Sequence, residues 1–252
     1  MIMEVPKNKE ILEKFLSGQE ISEKEICTIL SSPPDPTHGW ESNNNSKTMV
    51  GWYGIENLKY CLENVIANNI DGDFIETGVW RGGLCILAKS IFDFYHVDKK
   101  VFVADSFEGL PKPNAELYPA DAGDLHHLFD GLRVSKEEVE QNFRQFDCLD
   151  NNIVFLKGWF KDTLPLLKEN KFSIIRLDGD MYESTMDSLK NLYSRLSIGG
   201  YCIIDDYNHR GCQMAVNDFR TSYNITEPLI RDDAQPGYIE ITYWKKINSD
   251  KK

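Results

Sequence analysis

The 252-residue sequence lacks an excess of positive charge and any long apolar run. Lys and Arg together number 28 against 40 Asp and Glu, which gives a formal net charge of -12. An acidic chain with no basic stripe repels a phosphate backbone, so we expect no nucleic-acid partner. No segment reaches the ~20 apolar residues that cross a membrane, and residues 1–10 contain no signal-peptide-like run. We therefore expect a cytoplasmic protein that has no membrane partner.

Cysteines are few, and none forms a C-x-x-C pair. The sequence has six of them, widely scattered. Cys85 and Cys202 lie inside apolar runs, as small buried hydrophobic residues do. This pattern predicts a protein of a reducing compartment and argues against a zinc site or a disulfide framework.

The apolar content is sufficient for a folded core. Hydrophobic residues make up 41% of the chain and aromatic residues 12%, which excludes wholesale disorder. The length suits one large α/β domain or two small ones. Pro, Ser and Asn are concentrated between residues 31 and 46. We therefore expect a flexible arm or a lid over residues 1–50, a main domain over residues 51–246 and a tail over residues 247–252.

Predicted helices and strands alternate from residue 55 onward. Apolar residues at helical spacing predict a helix over residues 55–66. Short apolar runs predict five strands at residues 74–79, 100–105, 152–156, 172–178 and 200–205. Helices are predicted after them at residues 84–94, 135–149, 163–168, 182–196 and 212–223. Residues 228–231 and 238–244, on either side of a Pro-Gly pair, predict an antiparallel hairpin.

This order of elements predicts an α/β fold, a doubly wound and mostly parallel seven-stranded sheet with a C-terminal antiparallel hairpin. Ligands of such sheets bind beyond the carboxyl ends of the strands, at the switch point. The residues that directly follow each strand are therefore the candidates for a site. The non-periodic residues 107–133 form a loop whose length favours a functional role.

The first predicted strand ends in the sequence ETGVWRGG, residues 76–83. Glycines at this place allow a ligand to approach the backbone at a helix N-terminus. The motif differs from the G-x-G-x-x-G of dinucleotide-binding proteins, because Glu76 occupies the first glycine position. A carboxylate there suits a cationic amino group better than a pyrophosphate. The second predicted strand ends at Asp105, whose carboxylate suits a ribose diol or a cap on its own loop.

Carboxylates also follow the fourth and fifth predicted strands. Asp178 ends one strand, and Asp205 and Asp206 end the next. Neighbouring strand ends bring these side chains together, and clustered carboxylates repel one another unless a cation bridges them or they are protonated. A hard divalent ion, Mg²⁺ first, prefers such oxygen ligands. We assign these three residues to a metal, whereas the spacing of Asp180 and Glu183 predicts a capping box. The alternative is a set of unrelated helix caps.

Three histidines are weaker candidates for the site. His126 and His127 belong to the long loop, and His209 follows Asp206 closely. A surface position is the ordinary expectation for each. His209 remains a candidate catalytic residue that touches the substrate.

Six segments resemble the macrocin O-methyltransferase family, whose members methylate sugar hydroxyls in macrolide and aminocoumarin antibiotics. The resemblance runs from about residue 48 to residue 244. The segments are residues 74–83 (FIETGVWRGG), 104–111 (ADSFEGLP), 118–124 (YPADAGD), 158–165 (GWFKDTLP), 177–185 (LDGDMYEST) and 205–207 (DDY).

The resemblance implies a class I S-adenosylmethionine-dependent methyltransferase domain over residues 51–246, with S-adenosyl-L-methionine and Mg²⁺ as cofactors. Its metal ligands would be Asp178, Asp205 and Asp206, in agreement with the residue pattern, and Asp178 would also be the general base. The implied donor-binding residues are Thr48, Met49, Glu76, Gly78, Arg81, Gly82, Asp105, Ser106, Gly158 and Trp159. The implied acceptor is a hydroxyl of a sugar or glycosylated small molecule, either a natural product or a surface polysaccharide precursor.

Other functions remain open on the sequence. A metal-dependent methyltransferase of a catechol or other phenol would use the same site. An NAD-dependent oxidoreductase is disfavoured by Glu76, and a non-catalytic donor-binding scaffold has no need for clustered aspartates. Relatives tend to form dimers or larger assemblies, so we expect a homo-oligomer, with the apolar residues 238–244 as a candidate contact.

Overall fold

The computed structural model describes residues 7–19, 21–30, 46–231 and 241–248. Its helices are α1 (Lys7–Leu16), α2 (Glu23–Ile29), α3 (Trp52–Ala67), α4 (Gly83–Phe94), α5 (Lys136–Gln145), α6 (Phe160–Thr163), α7 (Tyr182–Leu192) and α8 (Arg210–Ser222). Its strands are β1 (Asp73–Thr77), β2 (Val101–Asp105), β3 (Ile153–Lys157), β4 (Phe172–Leu177), β5 (Leu196–Ile204), β6 (Ile230–Arg231) and β7 (Thr242–Lys245).

The seven strands form one sheet in the order β3-β2-β1-β4-β5-β7-β6. Strands β1 to β5 are parallel, and β7 pairs antiparallel with both β5 and β6. The predicted doubly wound sheet and its C-terminal hairpin are thus confirmed. The chain winds outward from β1 in one direction and from β4 in the other, so the carboxyl ends of β1 and β4 flank the switch point.

Two apolar layers cover the sheet because its central strands are apolar on both faces. Side chains from α1 to α5 form the core on one face, and side chains from α7 and α8 form the core on the other. Strand β4 is buried along its whole length, although it contains Arg176. This charged residue in the middle of the sheet is explained by the site below.

The N-terminal helices belong to the packed core. Leu12 and Leu16 of α1 and Ile26 of α2 are buried in the same cluster as α3 and α4. The backbone N–H groups of Lys47 and Thr48 both donate to the carbonyl of Leu30, at 2.7 and 2.8 Å. Residues 1–6, 20 and 31–45 of the predicted arm lie outside the described residues.

Several predicted boundaries differ from the structure. The helix predicted over residues 163–168 is instead α6 (Phe160–Thr163) with a 3-10 turn after it, and α7 ends at Leu192 rather than residue 196. Strand β5 begins at Leu196 rather than residue 200. Its pairing with β4 continues through an irregularity in the register, and Gly199 adopts a φ of 86° there. Helix α5 starts as predicted, with the Ser135 hydroxyl accepting from the N–H of Glu138. The helix ends at Gln145 instead of residue 149. Asp147, two residues further on, has a φ of 53°, which is not helical.

The hairpin strand β7 lies inside the sheet rather than at its edge. It is flanked by β5 and β6, and Thr242 and Trp244 have no exposed surface. These residues are therefore part of the hydrophobic core, and β6 is the edge strand. Residues 238–240 of the proposed contact lie outside the described residues. Among the described helices, none combines the length and the apolar character that a membrane crossing requires.

The packing of α1 predicts that this helix contributes to global stability. Leu12 is 1% exposed, and replacement of such a residue by alanine removes buried methyl groups and leaves a cavity. We expect Leu12→Ala to lower the free energy of unfolding by roughly 2–5 kcal/mol, measured by chemical denaturation. Leu166→Ala is the matched control, because Leu166 is 73% exposed. Equal effects of the two substitutions would contradict a core role for α1.

Candidate active site

A cleft of about 510 Å³ lies at the carboxyl ends of the central strands. Met49, Gly78 and Asp105, which lie in different segments of the chain, all line it, as do Ser106, Gly158 and Trp159. These are six of the ten predicted donor-binding residues. Asp178 lines the same cleft. The structure therefore brings the predicted donor site and one predicted metal ligand into a single space.

The turn after β1 needs glycine because another strand end lies against it. Gly78 has a φ of 84°, and a Cβ at this position would lie 1.7 Å from the carbonyl oxygen of Asp178. The N–H of Asp178 also donates to the carbonyl of Thr77 at 2.9 Å. Any side chain at position 78 would force the ends of β1 and β4 apart. Gly78 therefore sets the floor of the cleft.

Asp105 caps the loop that follows β2. Its carboxylate accepts from the N–H of Val79 at 2.8 Å and from the N–H of Phe107 at 2.7 Å. Burial raises its pKa, and the backbone hydrogen bonds oppose that rise. Ser106 turns the same loop, because its hydroxyl donates to the carbonyl of Gly109 at 2.7 Å. The capping role considered for Asp105 is thus present in a residue that also lines the cleft.

Four predicted donor-binding residues do not line this cleft. Thr48 Oγ1 accepts from the N–H of Val50 at 3.1 Å, and Gly82 is the N-cap of α4 with a φ of 82°. Arg81 donates to the carbonyl of Ser46 at 3.2 Å. Glu76 is buried, at 2% exposure. Thr48, Arg81 and Gly82 shape the turn before α4 and the segment at residues 46–50 beside it. Glu76 belongs to the cluster of charged residues described below.

The three aspartates predicted as metal ligands lie together. One carboxylate oxygen from each of Asp178, Asp205 and Asp206 lies within 4.8 Å of the other two. Asp205 and Asp206 are each 3% exposed. Three carboxylates with oxygen donors fit Mg²⁺. A neighbouring group with the same spacing consists of Asp180, Asp206 and His209.

Arg176 lies at the centre of this cluster, and it was not among the residues predicted from the sequence. Its Nη1 donates to Glu76 Oε1 at 2.5 Å and to Asp178 Oδ2 at 2.8 Å, and its Nη2 donates to Asp205 Oδ1. The side chain is 1% exposed. The available signal was a single arginine in an otherwise apolar predicted strand, since a buried charge needs partners.

Glu76 is part of the same network rather than of the cleft wall. Its Oε2 accepts from the thiol of Cys85 at 2.8 Å while Oε1 is bonded by Arg176. Burial raises the pKa of Glu76 to about 7, although Arg176 opposes this shift. The carboxylate is bonded to Arg176, its register partner on the neighbouring strand β4. Its contact with a cationic amino group stays a prediction.

Burial disfavours the charged form of the carboxylates in this cluster. It raises the pKa of Asp205 to about 8, against the attraction of Arg176 and with the repulsion of Asp178. Burial, with Asp180 and Asp178 nearby, also raises the pKa of Asp206 well above its ordinary value. One guanidinium does not neutralise the neighbouring carboxylates. Such buried carboxylates are stabilised either by protonation or by additional positive charge nearby.

The predicted capping role of Asp180 is wrong. Helix α7 has Met181 as its N-cap, with no side-chain cap from that residue. Instead Asp121 Oδ1 accepts from the N–H of Tyr182 at 2.6 Å and Oδ2 accepts from the N–H of Glu183 at 3.0 Å. Asp180 adopts a φ of 56°, which turns it out of the capping position. No local signal identifies Asp121, because it lies in the long loop, far from α7 in sequence.

His209 lies at the edge of the carboxylate cluster. Its Nδ1 is 3.3 Å from Asp180 Oδ1 and 3.8 Å from Asp206 Oδ1. Its ring stacks on His126, with 5.5 Å between the ring centroids. The neighbouring Asp180 carboxylate raises the pKa of His209, and burial opposes this effect. The pair connects the long loop to the cluster, while His127 lines the cleft itself.

Known O-methyltransferases resemble this chain in sequence and structure. The sequence model described as macrocin-O-methyltransferase (TylF) matches residues 11–246. The demethyldecarbamoylnovobiocin O-methyltransferase of Streptomyces niveus is 45% identical over 205 residues, covering 80% of this chain and 76% of that protein. The 8-demethyl-8-(2,3-dimethoxy-alpha-L-rhamnosyl)-tetracenomycin-C 4'-O-methyltransferase of Streptomyces olivaceus is 46% identical over 188 residues, covering 74% and 72%. The solved structure of the O-methyltransferase NovP has a TM-score of 0.81 and 38% identity, covering 95% of this chain and 98% of that chain.

The contacts of Asp121 predict that the long loop stabilises α7. Asp121→Ala leaves the first N–H groups of α7 without their acceptor, so we expect a loss of about 1–2 kcal/mol in the free energy of unfolding. Asp130→Ala is the control in the same loop, because the Asp130 side chain is 89% exposed. Chemical denaturation of both variants measures the difference. Equal stabilities would show that Asp121 is not the effective cap.

Proposed function

We propose that this chain, which belongs to the macrocin-O-methyltransferase (TylF) family and is an S-adenosylmethionine-dependent O-methyltransferase, methylates a hydroxyl of a sugar or glycosylated small molecule with the help of Mg²⁺. The family predicted from the sequence motifs is thus confirmed. One observation carries the finer proposal: Asp178 both lines the cleft and belongs to the carboxylate cluster. A relative named for a rhamnosyl 4'-O-methylation supports a sugar acceptor.

The donor is proposed to bind in the cleft between β1 and β2. S-adenosylmethionine supplies a methyl group on a positively charged sulfur. Because Gly78 has no side chain, the donor can lie close to the backbone there. Asp105 and Ser106 are proposed to bind its ribose, as an acidic residue at the second strand end does in doubly wound folds. Met49 and Trp159 line the cleft with larger side chains. These residues bind and orient the donor.

Asp178, Asp205 and Asp206 are proposed to hold Mg²⁺. A bound Mg²⁺ lowers the pKa of a coordinated hydroxyl and fixes its position. The three side chains supply oxygen ligands and negative charge, and the guanidinium of Arg176 balances part of that charge. This proposal explains why several carboxylates lie together at the carboxyl ends of neighbouring strands.

Asp178 is proposed as the general base. Its side chain is 27% exposed, against 4% for Asp205, so it is the more accessible of these two carboxylates. Arg176 bonds only Oδ2 of Asp178. The two lone pairs of Oδ1 are proposed to serve the cation and the proton, one each. In the reaction the acceptor oxygen bonds the methyl carbon, the bond from carbon to sulfur breaks, and the hydroxyl proton passes to Asp178. Alignment of the two reactants supplies much of the rate.

Two segments are proposed to exclude water from the cleft. Residues 46–49 are tied to Leu30 and to the start of α4, where the N–H of Gly83 donates to the carbonyl of Lys47 at 2.9 Å. The loop at residues 107–133 lines the other side and is anchored to α7 by Asp121. Exclusion of water protects a reactive donor.

The cellular setting is likewise a proposal. The described cysteines, at positions 61, 85, 148, 202 and 212, are buried thiols, which supports a reducing, cytoplasmic environment. The role is proposed to lie in natural-product biosynthesis, as a homo-oligomer whose contact surface is not the buried strand β7.

The proposed metal predicts dependence of turnover on a divalent ion. With S-adenosylmethionine and a panel of glycosides, nucleotide sugars and catechols, we expect methylation of a sugar hydroxyl that EDTA suppresses and Mg²⁺ restores. Product analysis by mass spectrometry identifies the methylated oxygen. Activity indifferent to both reagents would remove the metal from the proposal, and exclusive methylation of catechols would replace the sugar acceptor.

The proposed base predicts a selective loss of chemistry in Asp178→Asn. We expect turnover to fall roughly 10²- to 10⁴-fold, because the amide cannot accept the proton, while affinity for S-adenosylhomocysteine in calorimetry is largely retained. Asp98→Asn is the control, because Asp98 precedes β2 and lies toward the opposite end of the sheet. Turnover of Asp178→Asn within a few fold of the wild type would exclude it as the base.

A further inference from the structure

The guanidinium of Arg176 connects three strands at one point. It bonds Glu76 at the end of β1, Asp178 just after β4 and Asp205 just after β5. Its own strand, β4, lies between β1 and β5 in the sheet. A planar guanidinium can hold several carboxylates in fixed directions at once, whereas an ammonium is a point charge without that geometry.

These hydrogen bonds engage one oxygen of each aspartate. Arg176 bonds Asp178 Oδ2 and Asp205 Oδ1. The second oxygen of each carboxylate carries no bond from Arg176. Both residues also belong to the group of ligand atoms within 4.8 Å of one another, together with Asp206. A carboxylate held by one oxygen has fewer orientations for the other, which reduces the entropic cost of binding a cation.

Glu76 fixes Arg176 from the other side. It is the register partner of Arg176 across the pair of β1 and β4, and the thiol of Cys85 bonds its second oxygen at 2.8 Å. Both side chains are almost completely buried, at 3% exposure for Glu76 and 1% for Arg176. The guanidinium is thereby anchored from beneath and presented to the two aspartates.

We propose that Arg176 is a positioning residue, whose guanidinium, anchored by Glu76, orients Asp178 and Asp205 so that the second oxygen of each binds a shared divalent cation. Glu76 accordingly supports the metal site and does not bind the donor directly. The inference rests on the proposed function, because the cation is part of it.

Arg176→Lys tests the positioning role because it keeps the charge and removes the planar fork. In calorimetry with Mg²⁺ alone, we expect affinity to fall roughly 10- to 100-fold, as when other partners that orient metal ligands are changed. Affinity for S-adenosylhomocysteine without Mg²⁺ should stay near that of the wild type. In assays, the KM for Mg²⁺ should rise, with turnover recovering as Mg²⁺ is increased. A folded variant with wild-type Mg²⁺ affinity would overturn the inference.

A second variant and a control separate positioning from simple destabilisation. Glu76→Gln keeps the size of the anchor and leaves Arg176 in place, and it should weaken Mg²⁺ binding about tenfold even if Arg176→Lys does not fold. Lys89→Met removes another buried cation, which bridges Asp93 and Asp150 outside the cleft. It should lower thermal stability and leave Mg²⁺ affinity unchanged. Unchanged affinity in Glu76→Gln, or an equal loss in Lys89→Met, would contradict the inference.

The wild-type titrations distinguish this inference from the proposed function. A wild-type protein that binds neither Mg²⁺ nor S-adenosylhomocysteine would contradict the proposed function itself. A wild-type protein that binds both, together with an Arg176→Lys variant that binds Mg²⁺ equally well, would refute only the role of Arg176.

Discussion

The ion pairs of one buried arginine hold together the part of the sheet on which the site depends. Arg176 lies in the middle of the fold, and its partners Glu76, Asp178 and Asp205 come from the ends of three adjacent strands. Removing one partner of a buried ion pair leaves an uncompensated charge, which is strongly destabilising. The same contacts that stabilise the strand ends therefore also fix Asp178, which lines the cleft.

Close backbone packing adds a second constraint at the same place. The ends of β1 and β4 touch where Gly78 meets the carbonyl of Asp178, with no room for a side chain. The cleft thus opens at the switch point of the sheet, where a doubly wound fold leaves space beyond its strands.

The sequence was sufficient to predict the features that depend on local pattern. Apolar runs and helical spacing predicted the order of elements, and the residues after each strand included Gly78, Asp105 and Asp178, which line the cleft. The features it did not predict depend on contacts between distant segments. Arg176 is explained only by three carboxylates elsewhere in the chain, and the cap of α7 comes from Asp121 in a loop before it. A local rule, the spacing of Asp180 and Glu183, gave the wrong cap because tertiary contacts supplied a better acceptor.

The most direct test is a crystal structure with S-adenosylhomocysteine and Mn²⁺ in place of Mg²⁺, with the ion located by its anomalous scattering. The proposed arrangement predicts one ion bound by Asp178, Asp205 and Asp206, with Arg176 still bonded to the other oxygens of Asp178 and Asp205 and the donor product against Gly78. An ion held instead by Asp180, Asp206 and His209, or an Arg176 turned away from the aspartates, would contradict it.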